Sequence, residues 1–215
     1  LHGFLGIWEL PELFTYIVLS IMMLGIINAY NLIDGIDGLA AIIAIVIFCV
    51  FALIFYGTHN FYYFLIALSF IGMLLAYLFY NFSHRKKVFM GDTGSLIIGF
   101  CIAVLALKYL AMDVANFGYF RFKPENELIV LAGILWIPIF DMLRVMGVRI
   151  LNRKGIFSPD RNHVHHILAD TGLAHYKVAL ILGFFNFALL IVLIYLSSVL
   201  NSFLMLCVFV LIFAI

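Results

Sequence analysis

Three short polar stretches interrupt an otherwise apolar sequence, and each carries side chains able to do chemistry. The first is Asn28-Ala-Tyr-Asn31-Leu-Ile-Asp34-Gly-Ile-Asp37-Gly38-Leu-Ala. Its carboxylates, Asp34 and Asp37, stand three residues apart, and Gly35 and Gly38 permit a tight turn with close backbone approach. A carboxylate within a membrane costs a few kcal/mol, so chance placement is disfavoured. The plain alternative is a polar hairpin turn that caps the next helix through Asp37; a calcium hand lacks its further oxygen ligands here. The second stretch is Phe89-Met-Gly91-Asp92-Thr93-Gly94-Ser95. Asp92 or Thr93 is expected to cap the helix that follows, whose free N–H groups and positive dipole end would receive phosphate or a metal–phosphate complex. A capped helix start after the basic loop Arg85, Lys86, Lys87 is the alternative, with those cations serving lipid headgroups and topology. The third stretch is Ser158-Pro-Asp160-Arg161-Asn-His163-Val-His165-His166. Arg161 has the planar fork suited to a pyrophosphate. The clustered histidines raise zinc as a rival, against which no cysteine lies near and Arg161 would repel a cation. His59, His84 and His175 stand alone and read as structural or surface residues.

The elements that must position these residues follow from composition. Of the 215 residues, 67% are hydrophobic and 11% charged, whereas a soluble globule carries about a quarter charged residues. About 20 apolar helical residues cross a hydrocarbon core, and runs of that length recur. A membrane barrel would instead alternate polar and apolar residues. The sequence therefore predicts an all-α, polytopic bundle of seven spans, at 13–31, 39–57, 61–80, 95–112, 128–145, 178–196 and 203–215, the last of them expected to be incomplete. Residues 1–215 read as a single membrane domain, with the histidines in a loop over 146–177. Pro138 is expected to kink the fifth span. Val145, Val148 and Leu151, beside Arg149, Asn152 and Arg153, suggest a short helix lying in the interface. Cys49, Cys101 and Cys207 fall inside apolar spans and read as small core residues.

Span parity puts nine lysines and arginines on the side that holds Asp34 and three on the other, which makes the first side cytosolic. Asp34, Asp37, Asp92, Arg161 and the histidines, far apart in sequence, then meet at one membrane face. Carboxylates hold Mg²⁺, and Arg and helix N-termini hold phosphate oxygens, which fits phosphoryl transfer. The net charge of +1 says nothing about an acidic partner, and no nucleic acid is called for. An ion- or proton-coupled transporter, the rival from another class, would place its charges near mid-membrane. Only Asp141 approaches that description, and Arg144 one turn on makes it a structural ion pair.

At NAYNLIDGIDGLA, FMGDTGS and SPDRNHVHH the chain resembles the polyprenyl-phosphate N-acetylhexosamine-1-phosphate transferases, in motif order and rough spacing. The PDRNHVHH form looks like the UDP-GlcNAc branch; the UDP-MurNAc-pentapeptide branch is the alternative. The resemblance implies transfer of GlcNAc-1-phosphate from UDP-GlcNAc to undecaprenyl phosphate with release of UMP, starting a lipid-linked envelope glycan. It implies Mg²⁺, or Mn²⁺, held by Asp92 with Asn31 beside it. Asp34 and Asp37 would organise the nucleotide and metal, Arg161 would grip the pyrophosphate, and His163, His165 and His166 would complete the donor site, with Asn28 in support. The implied setting is a multi-pass protein of the bacterial cytoplasmic membrane, its site facing the cytosol, contacting membrane lipids and compatible with a homodimer. One departure stands out. The family carries an adjacent pair of aspartates upstream, and this chain has no adjacent acidic pair. Together with a first residue that is not Met, this leads to the expectation of an additional N-terminal portion bearing further spans.

Overall fold

The computed structural model describes residues 2–83, 85–113, 122–153, 155 and 163–214. Regular structure among them is helical: α1 (Glu12–Leu32), α2 (Leu39–Gly57), α3 (Phe61–Asn81), α4 (Gly91–Leu110), α5 (Glu127–Ile134), α6 (Trp136–Leu151), α7 (Val164–Asp170), α8 (His175–Val199) and α9 (Ser202–Ala214). A 3-10 turn, Pro124–Asn126, leads into α5. Helices α1 to α4 and α8 are long and apolar enough to cross a membrane; α5 and α6 meet that length and composition only as a pair, bent by 74° at their break, the form of a broken span or a re-entrant loop. The chain is a multi-pass membrane protein. Over the seventh expected span the described residues form α9, 13 residues long, about 20 Å of helix.

Apolar helix faces gain little from meeting one another in lipid, so association rests on close packing. Helix α2 is the hub, packed on α3, α4 and α8, with Ala40, Ala41, Ala44 and Ala52 buried at its contacts. Its apolar window is 67% buried, against 17% for α1 and 11% for α3, which leave most of their surface exposed. Helix α1 crosses α4 at Gly99, where a Cβ would meet the Ile27 Cα and carbonyl oxygen at 3.2 Å. The neighbour there is backbone, which cannot step aside.

The fifth span departs from expectation. The chain breaks at Leu135, three residues before Pro138, and restarts as α6 at Trp136. Pro138 thus sits in the first turn of a helix, where its missing N–H costs little. The carbonyl that N–H would have served, on Ile134, accepts from Asn186 Nδ2 of α8 at 3.2 Å. Asn186 Oδ1 in turn accepts from the Ile137 N–H at 3.0 Å. One fully buried amide therefore satisfies both sides of the break. Helix α6 continues to Leu151 and absorbs the residues expected to form a separate interfacial helix; Val145 and Arg149 are buried within the fold.

Loop positions follow the expected parity. At one end Lys123 Nζ donates to the Val199 carbonyl at 2.8 Å, and Asn126 Nδ2 donates to those of Ser197 and Leu200 at 2.9 and 3.0 Å. Asp34, Asp37, Asp92 and the histidines at 163, 165 and 166 gather at the other end.

Candidate functional site

Helix α1 ends at Leu32, and the chain turns through residues 33–38 into α2. The turn is closed from inside by buried Tyr30, whose hydroxyl donates to the Ala40 carbonyl at 2.9 Å. Gly38 precedes α2 with φ +78°, a left-handed conformation that favours glycine. Asp34 and Asp37 project from this turn into different surroundings. Asp34 is half-buried; burial first, then the charges of Asp92 and Asp37, push its carboxyl up to about 6. Burial also acts to raise Asp37, but hydrogen bonds and charge from Lys87 and His175 outweigh it and hold the carboxyl below its ordinary value. Both partners grip the same oxygen, Oδ2, with Lys87 Nζ at 2.7 Å and His175 Nδ1 at 3.3 Å.

Helix α4 starts at Gly91, four residues before the expected Ser95. Asp92 is therefore an exposed residue of the first turn, and neither it nor Thr93 caps the helix; no side chain does. A carboxylate in the first turn is still favoured by the helix dipole. Ser95 is buried and donates to Asn31 Oδ1, which ties the end of α1 to the first turn of α4. Asn28 lies one turn earlier on α1, exposed.

His163 precedes α7, and His165 and His166 lie in its first turn. Their rings cluster, with centroids 5.5 Å apart for His163 and His165 and 4.3 Å for His165 and His166. His163 Nδ1 lies 2.7 Å from Asp141 Oδ2. His165 is buried, and its Nε2 faces Gly35 so closely that no Cβ fits there. Burial, then the neighbouring His166, pushes the His165 imidazole down to about 4, so the ring is neutral. The third stretch thus reaches the first through His165 and Gly35. Arg161 lies outside the described residues.

Two clefts flank the Asp37 side of the turn. One of about 280 Å³ is lined by Asp34, Asp37, Tyr77, Lys87, Phe89 and His175, among others. A larger one of about 550 Å³ shares Asp37, Asn81, Lys87 and His175 and adds Ser83 and Tyr176. Asn28, Asn31 and Asp92 line neither. A third, mainly apolar cavity of about 250 Å³ lies beyond His165 and Asp141, walled by Ile33, Trp136 and Phe140.

Lys87, His175 and Asp141 join the candidate site through contacts to Asp37 and His163. From sequence alone Lys87 reads as a partner of lipid headgroups, His175 as a surface residue and Asp141 as the partner of Arg144. Asp141 does approach Arg144, at 3.7 Å, but its shorter contacts are to His163 and, at 2.8 Å, the Val164 N–H. The one available sequence signal was Asp141 itself, a carboxylate inside an apolar run.

Among the described residues no three of His, Cys, Asp and Glu are arranged to hold a metal ion, which leaves the zinc alternative without a site there. The oxygen set suits a hard divalent cation better. Burial first, and then the charge of Asp92, raise the Asp34 carboxyl; a cation between Asp34 and Asp92 would offset the second of these. Two carboxylates, completed by substrate phosphate and water, are a usual arrangement for Mg²⁺.

Residues 1–110, just over half the chain, match the family model of glycosyl transferase family 4. The chain belongs to glycosyl transferase family 4. The family match takes in the first two polar stretches and stops short of the third. Among relatives, the chain is 38% identical over 133 residues to a Bacillus subtilis protein named "probable undecaprenyl-phosphate N-acetylglucosaminyl 1-phosphate transferase", covering 62% of this chain and 34% of the relative. It is 32% identical over 120 residues to the decaprenyl-phosphate N-acetylglucosaminephosphotransferase of Mycobacterium leprae, covering 54% of this chain and 30% of that one. It is 30% identical over 175 residues to the undecaprenyl-phosphate alpha-N-acetylglucosaminyl 1-phosphate transferase of Yersinia pestis, covering 80% of this chain and 45% of the relative. The chain spans between about a third and just under half of the length of these family members.

Proposed function

We propose that the protein transfers N-acetylglucosamine-1-phosphate from UDP-GlcNAc to undecaprenyl phosphate, releasing UMP, at the cytosolic face of the bacterial cytoplasmic membrane. The observation that carries this reading is the convergence of the Asp34–Asp37 turn, the Asp92 turn of α4 and the histidine helix at one end of a membrane bundle, in a chain of glycosyl transferase family 4.

In this reading an oxygen of the lipid phosphate attacks the β-phosphorus of the donor. The new P–O bond forms as the bond from that phosphorus to the bridging oxygen breaks, and the bridging oxygen leaves on UMP. Mg²⁺, when bound, supplies charge neutralisation on the pyrophosphate. Asp92 and Asp34 would hold it through their carboxylate oxygens, with Asn31 alongside, tethered by Ser95. Asp37 spends its charge on Lys87 and His175, so its role is to shape the donor cleft and hold those two cation-forming groups at its wall. Neutral His165 offers hydrogen bonding and not charge. His163, His166 and Arg161 complete the donor site, and Asn28 supports it from α1. The uncapped first turn of α4 leaves its N–H groups available to phosphate oxygens.

The test is a donor screen on the intact protein in membranes, with labelled UDP-sugars and polyprenyl phosphate, with and without Mg²⁺. Product from UDP-GlcNAc that requires Mg²⁺ is expected. Product from UDP-MurNAc-pentapeptide alone would assign the other branch. Asp92→Asn should lower transfer by orders of magnitude with normal membrane insertion, and a near wild-type rate would remove Asp92 from the metal role.

A further inference from the structure

Asp141 is buried on α6, 3% exposed, and commits each carboxylate oxygen to a different atom of the histidine segment. Oδ2 lies 2.7 Å from His163 Nδ1, and Oδ1 accepts the Val164 N–H at 2.8 Å. An ionised carboxylate only accepts hydrogen bonds, so the first contact needs a hydrogen on Nδ1. Neutral His163 is then the Nδ1–H tautomer, with its lone pair on Nε2. The second contact serves the first N–H of α7, a helix whose own N-cap residue, His163, gives it no side-chain hydrogen bond. That same helix carries His165 onto Gly35, next to Asp34. The carboxylate owes its location to the bend at Leu135, since α6 begins there and Asp141 lies in its second turn.

A buried carboxylate is a poor device for stability alone, because desolvation offsets much of what its pairing returns. Its two short contacts do something an apolar residue cannot: they fix a ring orientation, a tautomer and a helix start together. We propose that Asp141 is a positioning residue for the histidine segment, holding His163 as the Nδ1–H tautomer and docking α7 on the Asp34–Gly35 turn. The role in transfer rests on the function proposed above; the geometry does not.

Nitrogen-15 imidazole NMR of the detergent-solubilised protein reads the tautomer directly, with the His163 signals assigned by their loss in His163→Asn. A hydrogen on His163 Nδ1 is expected, and a ring whose Nδ1 carries none in the wild-type protein would overturn the proposal. Asp141→Asn keeps an oxygen for the Val164 N–H but presents an N–H to His163 Nδ1, so the ring should switch to Nε2–H. Transfer should then fall about 10- to 100-fold in kcat with donor KM little changed. The same substitution should cost nothing more in a His163→Ala background; a loss that multiplies there would mean that Asp141 does not act through His163. If Asp141→Asn fails to fold, the wild-type tautomer decides the matter by itself. Absence of transfer from any donor, with the Nδ1–H signal present, would overturn the transferase reading and leave the Asp141–His163 geometry standing.

Discussion

His165 presses its Nε2 against the bare Cα of Gly35. Gly35 has no left-handed φ, so alanine is conformationally acceptable there and only the contact forbids it. The ring cannot easily retreat, because its helix is held by Asp141. Gly35→Ala should cost about 1–3 kcal/mol as an overpacked contact and lower transfer by displacing α7. Adding His165→Ala should recover part of the lost thermal stability, since the new methyl then has room. A Gly35→Ala protein with unchanged melting and turnover would mean that the ring does not rest there.

The Asp34 carboxyl, pushed up to about 6 from 3.8, gives a signed pH dependence. Between those values the native state keeps a proton that the unfolded state has released, so this group opposes stability as pH rises through the window. Cation binding needs the ionised form, so apparent Mg²⁺ affinity should fall as pH drops through about 6. Asp92→Asn removes one of the charges that raise Asp34, and its carboxyl should titrate lower. Carbon-13 NMR or the infrared carboxyl band follows both effects.

Lys87→Met should act in the opposite direction on Asp37. Without the ammonium at 2.7 Å, burial is opposed by His175 alone, and the Asp37 carboxyl should move up. A depressed carboxyl pKa contributes stability above the unfolded value that is lost as pH falls through the folded one. The substitution should therefore shrink that contribution, by no more than about 1 kcal/mol for a partly exposed pair. Chemical unfolding at pH 7 and pH 4 measures the difference; an unmoved Asp37 titration would count against the pair.

Asn186→Leu should be the more damaging change, although it places an apolar residue inside an apolar bundle. It strips hydrogen bonds from the Ile134 carbonyl and the Ile137 N–H, both at the break. Two buried backbone groups left without partners cost about 2–4 kcal/mol together. Asn186→Asp keeps the acceptor and loses the donor, and should fall between. Unfolding of the detergent-solubilised protein ranks the three.

Much of this architecture can be read from one-dimensional properties. Apolar run length places α2 at Leu39–Gly57 without error, and the Lys and Arg bias with parity brings Asp34, Asp92 and His165 to one end. What cannot be read this way depends on partners remote in sequence. Lys87 and Asp37 are 50 residues apart, and His175 and Asp37 are 138 apart, so no local spacing pairs them. The early start of α4 escaped because Gly91 to Gly94 lack apolar periodicity, although helix geometry tolerates them at a first turn. The break at Leu135 escaped because proline marks a helix start as readily as a kink, and its mending group comes from α8.

That mend binds the identities of two distant positions. While residue 138 is proline, residue 186 must bring both a donor and an acceptor into the hydrocarbon layer, and few side chains other than an amide can do so. If an ordinary amino acid were to restore the N–H at 138, the Ile134 carbonyl could be served within its own helix, the requirement at 186 would relax, and α5 and α6 could straighten into one rod. Such a rod would carry Asp141 away from the histidines, so substitutions at these two buried sites should be tolerated only in step.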